Sequence, residues 1–366
     1  MKKKIMHLIT GLEVGGAENM LLKILPRTAD TCDHSVCSII GVGPIGDKLV
    51  AAGIPVYYLD LSNTLDLSII PKLKKLIVDL QPDVLITYLP HADLLGRIIG
   101  KLTHVPTIVC SVRVRLTRSK YLPYFIIDGL TSPLVNKYHF NSRTIANLHR
   151  LILRVPRRKI TVIPNTIDVD LYHLTIDREA KKKELGLPAD KIIIGCVARL
   201  RKQKGHNDLI AAFHSVHSAR PNTTLVLVGD GEEKPDIMEA IKKYGLENHV
   251  IMLGNRHDVP EILQTFDIFA FTTLYEGMSN SLMEAMSARL PILTTNIPEN
   301  RELITNDQTG VLVPVHDIRT IANALVRLID DPPLRHTLAA NAYQQVKDHF
   351  SIKAIIPQYI EFYRQL

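Results

Sequence analysis

Tyr275-Glu-Gly-Met-Ser-Asn-Ser-Leu-Met-Glu-Ala-Met286 is the stretch that decides how this 366-residue chain is read. It follows the apolar run Ile268–Thr272, crosses a small polar loop and ends in an apolar-periodic segment. That order spells strand, loop, helix. Ser279 or Ser281 is a natural N-cap, and the first amides of the helix then lie at Asn280, Ser281 and Leu282. Such amides favour an anion, and Gly277 and Met278 carry the chain up to it. Glu276 precedes the helix and Glu284 lies inside it, so two carboxylates bracket one phosphate-type site. Carboxylates accept paired hydroxyl donors of the kind sugars offer. A plainer reading uses the same residues. Ser281-x-x-Glu284 also fits a capping box, and Glu276 is then an ordinary loop acid. The stretch alone leaves both open.

Outward from it, short β-rich runs alternate with longer amphipathic ones, the pattern of βα units around parallel sheets. The early strands are expected at Ile5–Ile9, Ser35–Ile40, Val84–Thr87 and Thr107–Cys110. A later series falls at Ile192–Ala198, Leu225–Val228, Val250–Leu253, Ile268–Thr272, Ile292–Thr294 and Val311–Val313. Between them, Ile163-Pro-Asn-Thr-Ile-Asp168 and a Lys-rich stretch signal a boundary near residue 170. The fold class is therefore α/β, with parallel-sheet domains at residues 1–170 and 171–350 and an amphipathic segment Ser351–Leu366. Ligands of open α/β sheets bind at the carboxyl edges of the strands.

Other loops on those expected edges carry chemistry. Thr10-Gly-Leu-Glu-Val-Gly-Gly-Ala-Glu18 leaves a strand and opens a helix, and Gly15-Gly16 lets backbone approach a ligand. A simple tight turn explains it equally well, and it is not the GxGxxG fingerprint. Val197-Ala-Arg-Leu-Arg-Lys-Gln-Lys-Gly-His206 sets Arg199 and Lys204 at a strand end, a guanidinium and an ammonium suited to a diphosphate. A solvated basic loop is the alternative. Val228-Gly-Asp-Gly-Glu232 and Leu253-Gly-Asn-Arg-His-Asp258 offer Gly229 and Arg256 as walls of a nucleotide pocket, or as turns. Asp168-Val-Asp170 has metal-binding DxD spacing but lies at the boundary, away from the glycine loops, so no metal is expected.

Composition sets the frame. Hydrophobic residues make up 46% and charged ones 22%, ordinary for a soluble α/β protein. No run reaches the ~18 apolar residues a membrane span needs, and Met1-Lys-Lys-Lys-Ile5 reads as a first strand, not a leader. Cys32, Cys37, Cys110 and Cys196 have no disulfide or zinc spacing and read as buried thiols. The net charge of +7 is concentrated between Arg113 and Lys159, where eleven Lys and Arg residues face one acid, Asp128. Nucleic acid and an anionic membrane surface are both partners for such a patch. Leu148–Lys159, with apolar and cationic residues interleaved, reads as a helix that lies on a membrane.

Taken in order, these loops resemble the retaining glycosyltransferases of family 4. The likeness rests on Glu276-x7-Glu284, Gly15-Gly16-Ala17-Glu18, Arg199 with Lys204-Gly205, Gly229-Asp230-Gly231 and Gly310-Val-Leu-Val-Pro314. It implies the GT-B architecture: two Rossmann-like domains facing a cleft, an acceptor domain first and a donor domain second, with the final helix returning to the first. It implies a nucleoside-diphosphate sugar as donor, UDP- or GDP-linked, and no cofactor or metal. Arg199 and Lys204 then neutralise the diphosphate, Gly15 and Gly16 meet phosphates or sugar, Glu276 lies near the transferred sugar, Glu284 holds the ribose and Arg256 meets the base. The histidine that many members carry after a first-domain strand is missing from Ile108-Val-Cys-Ser-Val-Arg113, which leaves Arg113 or His91 in its place. The expected acceptor is a glycan or lipid-linked glycan of cell-surface polysaccharide or lipopolysaccharide. The protein is expected in the cytoplasm, against the anionic inner face of the membrane and without nucleic acid. An inactive GT-B scaffold is the alternative; a nicotinamide oxidoreductase fits less well without its glycine fingerprint.

Overall fold

The computed structural model describes residues 2–41, 43–61, 66, 68–113 and 122–366. The chain divides into two compact units, Met1–Thr166 together with Ile352–Leu366, and Ile167–Ser351. In the first unit the order is β1 (Lys3–Ile9), α1 (Gly16–Thr28), β2 (Cys32–Ser38), α2 (Pro44–Ala51), β3 (Val56–Tyr58), α3 (Ile69–Leu80), β4 (Val84–Tyr88), α4 (Pro90–Leu102), β5 (Thr107–Val112), α5 (Leu122–Thr131), β6 (Lys137–Phe140), α6 (Arg143–Ile152) and β7 (Ile160–Val162). In the second it is α7 (Arg178–Glu184), β8 (Ile192–Val197), α8 (His206–Ala219), β9 (Thr223–Val228), α9 (Lys234–Lys243), β10 (Val250–Gly254), α10 (Val259–Leu263), β11 (Ile268–Phe271), α11 (Asn280–Ser287), β12 (Ile292–Thr295), β13 (Val311–Val313), α12 (Ile318–Asp330) and α13 (Pro332–His349). Helix α14 (Ile352–Gln365) belongs to the first unit.

Both sheets are wholly parallel. The first runs β3-β2-β1-β4-β5-β6-β7 and the second β10-β9-β8-β11-β12-β13. Each order reverses direction once, beside β1 and β8, so each unit is doubly wound with helices on both faces. Central strands such as Thr223–Val228 are buried throughout, as a sheet covered on both faces requires. Strands β3, β6 and β7 were not expected from the sequence. Two are three-residue edge strands, and Lys137-Tyr-His-Phe140 looks polar because its buried histidine is held by side chains from neighbouring elements.

The first unit's core takes in α14, whose Ile355, Tyr359, Phe362 and Tyr363 pack with β1, β4 and α1. A fully buried large side chain contributes roughly 1.5–3 kcal/mol, so this helix is a structural part of that unit. All four cysteines are buried thiols. Among the described residues no helix is long and apolar enough to cross a membrane.

One expected helix is different. Leu148–Lys159 does not form a single helix: α6 stops at Ile152, Arg154 turns left-handed at φ 53°, and a 3-10 turn covers Arg157–Lys159. Pro156 is the cause, since the residue before a proline is driven out of the helical region. Of the basic window, Arg115, Arg118 and Lys120 lie outside the described residues.

Candidate active site

In the second unit, the loops after β8, β9, β10 and β11 are laced together by main-chain bonds. Gly229 donates to the Gly254 carbonyl at 2.8 Å, Leu200 to Asp230 at 3.0 Å and Leu274 to Gln203 at 2.8 Å. Side chains tighten the lacing: Gln203 Nε2 reaches the Tyr275 carbonyl at 2.5 Å and Thr272 Oγ1 donates to the Gly205 carbonyl at 2.9 Å. Glycine is demanded where strands crowd. Gly229 has φ 136°, and a Cβ there would fall 2.0 Å from the Ala198 carbonyl oxygen. A Cβ on Gly205, at φ 65°, would fall 2.2 Å from that of Thr272.

This frame brings Lys204 onto Glu276. The ammonium lies 2.6 Å from Glu276 Oε1, with side-chain exposures of 18% and 8%, and sits 5.1 Å from the Phe271 ring centroid. Thr273 Oγ1 donates to the same carboxylate oxygen at 2.8 Å. Glu276 is thus a buried, paired acid and not a surface loop acid. Arg199 stands exposed two residues past β8, next to the strand that leads to Glu276. His206, buried at the start of α8, is pushed down to about 4 by burial and by Lys204, so it is neutral at pH 7.

Helix α11 settles the choice of cap. Ser279 is the N-cap and its Oγ accepts from the Leu282 amide at 3.2 Å. Two expectations change with it. Leu282 does not offer its amide to an anion, because that amide is given to Ser279 Oγ. Glu284 is not the acid of a capping box, because the cap lies two residues before Ser281. Glu284 instead accepts a hydrogen bond from the Tyr172 hydroxyl, which burial and this carboxylate push upward. The Tyr172 main chain is fixed in turn by Gln264 Nε2 at 2.6 Å. Sequence reading missed Tyr172, since nothing in Asp170-Leu-Tyr-His173 points across to Glu284, 112 residues later. Gly277 and Met278 form the link between Glu276 and the cap, with Met278 buried.

Arg256 is not an open arm. Asp258 grips it twice, at 2.8 and 2.7 Å, within a cluster that includes Lys181 and Glu184. Asp258 is accordingly held well below the usual carboxylate range, chiefly by Arg256.

In the first unit, Gly15 is the N-cap of α1. The Glu18 carboxylate folds back over it, so that a Cβ on Gly15 would meet Glu18 Oε2 at 2.3 Å. The amide end of α1 therefore already has an anion of its own. The two first-domain candidates part company. His91 is exposed in the first turn of α4. Arg113 is buried at the end of β5, donating to Asn165 Oδ1 at 2.9 Å, the Tyr359 hydroxyl at 3.1 Å and Ser111 Oγ at 3.2 Å. Its bonds knit β5 to α14. Beside it lies His139, bonded to Ser111 Oγ at 2.9 Å and pushed down to about 3 by burial and Arg113.

Two doubly wound parallel units, the second with cations, amides and paired acids gathered at its strand ends, form a GT-B fold. Comparison with known proteins makes this specific. Residues 177–345 match the model of Glycosyl transferases group 1 and residues 14–171 that of Glycosyltransferase Family 4. The chain belongs to these glycosyltransferases. It is 29% identical over 323 residues to the UDP-Gal:alpha-D-GlcNAc-diphosphoundecaprenol alpha-1,3-galactosyltransferase of Escherichia coli, spanning 84% of this chain and 82% of that one. It is 27% identical to the capsular polysaccharide biosynthesis glycosyltransferase CapM of Staphylococcus aureus, over 81% of this chain and 80% of CapM. Among solved structures, Anabaena Alr3699/HepE in complex with UDP-glucose overlays with a TM-score of 0.89, covering 99% of this chain and 100% of that one at 24% identity.

Proposed function

We propose that this glycosyltransferase moves a sugar from a UDP- or GDP-sugar to a glycan or lipid-linked acceptor, with retention at the anomeric carbon. One observation carries the reading: a buried Lys204–Glu276 pair at 2.6 Å, formed by the same strand-end loops that carry exposed Arg199 and lead into the capped start of α11. Arg199, Lys204 and the amides of Asn280 and Ser281 hold the donor diphosphate and stabilise the charge that develops as it leaves. In the resting site Glu276 keeps the ammonium in place, and the diphosphate then shares it. The other oxygen of Glu276 faces the transferred sugar. Glu284, oriented by Tyr172, accepts the ribose hydroxyls. Gly229 sets the loop that borders the nucleotide, and Arg256, held by Asp258, stands towards the base. Gly15 and Gly16 offer backbone to an anionic group that takes the place of the Glu18 carboxylate. Retention follows by same-face attack, and neither cofactor nor metal takes part.

The acceptor class rests on the relatives' names, one of which gives a diphosphoundecaprenol-linked sugar and another capsular polysaccharide biosynthesis. The first unit meets that acceptor at an anionic membrane surface, through the basic residues between Arg113 and Lys159. The test is a turnover and binding screen over sugar nucleotides with Arg199→Ala and Lys204→Ala. Each variant is expected to lose ~10²–10³ in turnover while remaining folded. Near-normal activity in both would end the reading.

A further inference from the structure

Helix α6 presents Arg143, Ala146, Asn147 and Arg150 along one face, at helical spacings of three and four. That face looks onto the edge strand β7, whose Ile160 and Val162 share one side. Arg157, in the turn before β7, closes the end. Together they line a groove of about 200 Å³. Its floor is apolar and its rim carries three guanidiniums; among the described residues lining it none is acidic. Arg150, one of these three, has its Nε buried with no hydrogen-bond partner. A buried donor left unpaired is costly, more so on a charged group, and a bound acceptor removes the cost.

Beside the groove the surface is apolar. The end of α6 exposes Leu151 (71%) and Ile152, and α5 exposes Ile126, Ile127 and Leu130 (75%). The two helices adjoin there, since a Cβ on Gly129 would lie 3.7 Å from Leu153. Exposed apolar side chains next to a cationic groove suit one kind of partner, an amphiphile with an anionic head. The planar fork of arginine pairs with phosphate and carboxylate alike, but three guanidiniums around one groove suit a phosphate monoester, which offers three acceptor oxygens where a carboxylate offers two.

We propose that this groove is a phosphate site for the headgroup of an anionic bilayer phospholipid, with the α5–α6 apolar residues entering the lipid. This rests on the membrane contact proposed above and gives it an address. A diffuse basic patch responds only to surface charge, whereas a groove rimmed by three guanidiniums favours the anion with the third oxygen, a phosphate over a carboxylate.

Sedimentation with phosphatidylcholine vesicles tests it, doped to equal zeta potential with either phosphatidic acid or a fatty-acid carboxylate. The wild type is expected to bind the phosphatidic acid vesicles about tenfold more tightly, the worth of one charge-assisted hydrogen bond. Arg150→Gln with Arg157→Gln should lose that preference at unchanged Tm, and the exposed Arg157→Gln alone should weaken it. Lys74→Gln with Lys75→Gln, which removes the same charge from α3, should keep it. Leu151→Ser with Ile152→Ser should weaken binding to both vesicles alike. Equal binding of the two vesicles by the wild type overturns the phosphate site and leaves membrane contact standing. Binding to neither overturns membrane contact as well. Displacement by micromolar free pyrophosphate assigns the groove to a soluble ligand and overturns the headgroup reading.

Discussion

Replacing Glu276 by Gln removes one charge and little else. The amide keeps an acceptor for Thr273 Oγ1, so the local shape survives while Lys204 loses its counter-ion. At 2.6 Å and an effective dielectric of ~20, the attraction is about 6 kcal/mol before desolvation. Breaking a buried pair from one side costs roughly 3–5 kcal/mol net. Lys204 keeps 18% exposure and the Phe271 ring, which argues for the lower end, about 3 kcal/mol. In a unit of this size 1 kcal/mol moves Tm by about 2–4 °C, so the melting of the second unit should fall by about 6–12 °C. Lys204→Met should cost a similar amount, since it strands the carboxylate instead. The double variant leaves no charge unpaired and should recover most of the loss, a coupling of about 3 kcal/mol in a calorimetric double-mutant cycle. Turnover should not recover with it, because the diphosphate still lacks its ammonium; single and double variants containing Lys204→Met stay ~10²–10³ down. Additive melting temperatures would refute the pairing, and a double variant that regains activity would refute the catalytic use of Lys204.

Three further outcomes are expected. Gly229→Ala should destabilise the second unit by ~3 kcal/mol or more, since both φ and a backbone oxygen stand against a Cβ, whereas Gly15→Ala meets only a movable Glu18 carboxylate and should leave Tm within about 2 °C in a thermal melt. Tyr172→Phe should raise the donor KM several-fold at nearly constant kcat and reduce discrimination between ribose and 2′-deoxyribose donors; if Glu284→Gln abolishes that discrimination and Tyr172→Phe leaves it intact, Tyr172 has no positioning role. The buried neutral histidines, His34 and His206 near 4 and His139 near 3, bind protons more readily when unfolded, so stability should be full above pH ~6.5 and fall as pH drops towards 4, each contributing up to ~1.4 kcal/mol per pH unit; a flat Tm across that window would contradict it.

The sheets were legible because fully buried parallel strands leave long β-branched runs, as in Ile192–Val197 and Thr223–Val228. Edge strands of three residues leave no such trace, and β6 hides a buried histidine that looks polar until Ser111 is placed beside it. Interleaved apolar and basic residues favour a longer amphipathic helix over Leu148–Lys159, but Pro156 overrides that pattern and α6 ends at Ile152. At the candidate site, the residue types and their strand-end positions could be read from the chain. Which partner each side chain takes could not: Ser279 rather than Ser281 as the cap, Tyr172 against Glu284, and Asp258 on Arg256 all depend on contacts that the spacing does not encode.

The second unit is spliced into the first. Its entry and exit lie side by side, where Ile167 donates to the Phe350 carbonyl at 3.0 Å and pairs with Ser351. During synthesis, residues up to Thr166 leave the ribosome without the helix that completes their core, and must wait while Ile167–Ser351 is made. The segment translated first is therefore among the last to mature. Until α14 arrives, the surface around Ile24, Tyr88 and Ile163 is an apolar hollow open to chaperones and to the matching helix of another nascent copy.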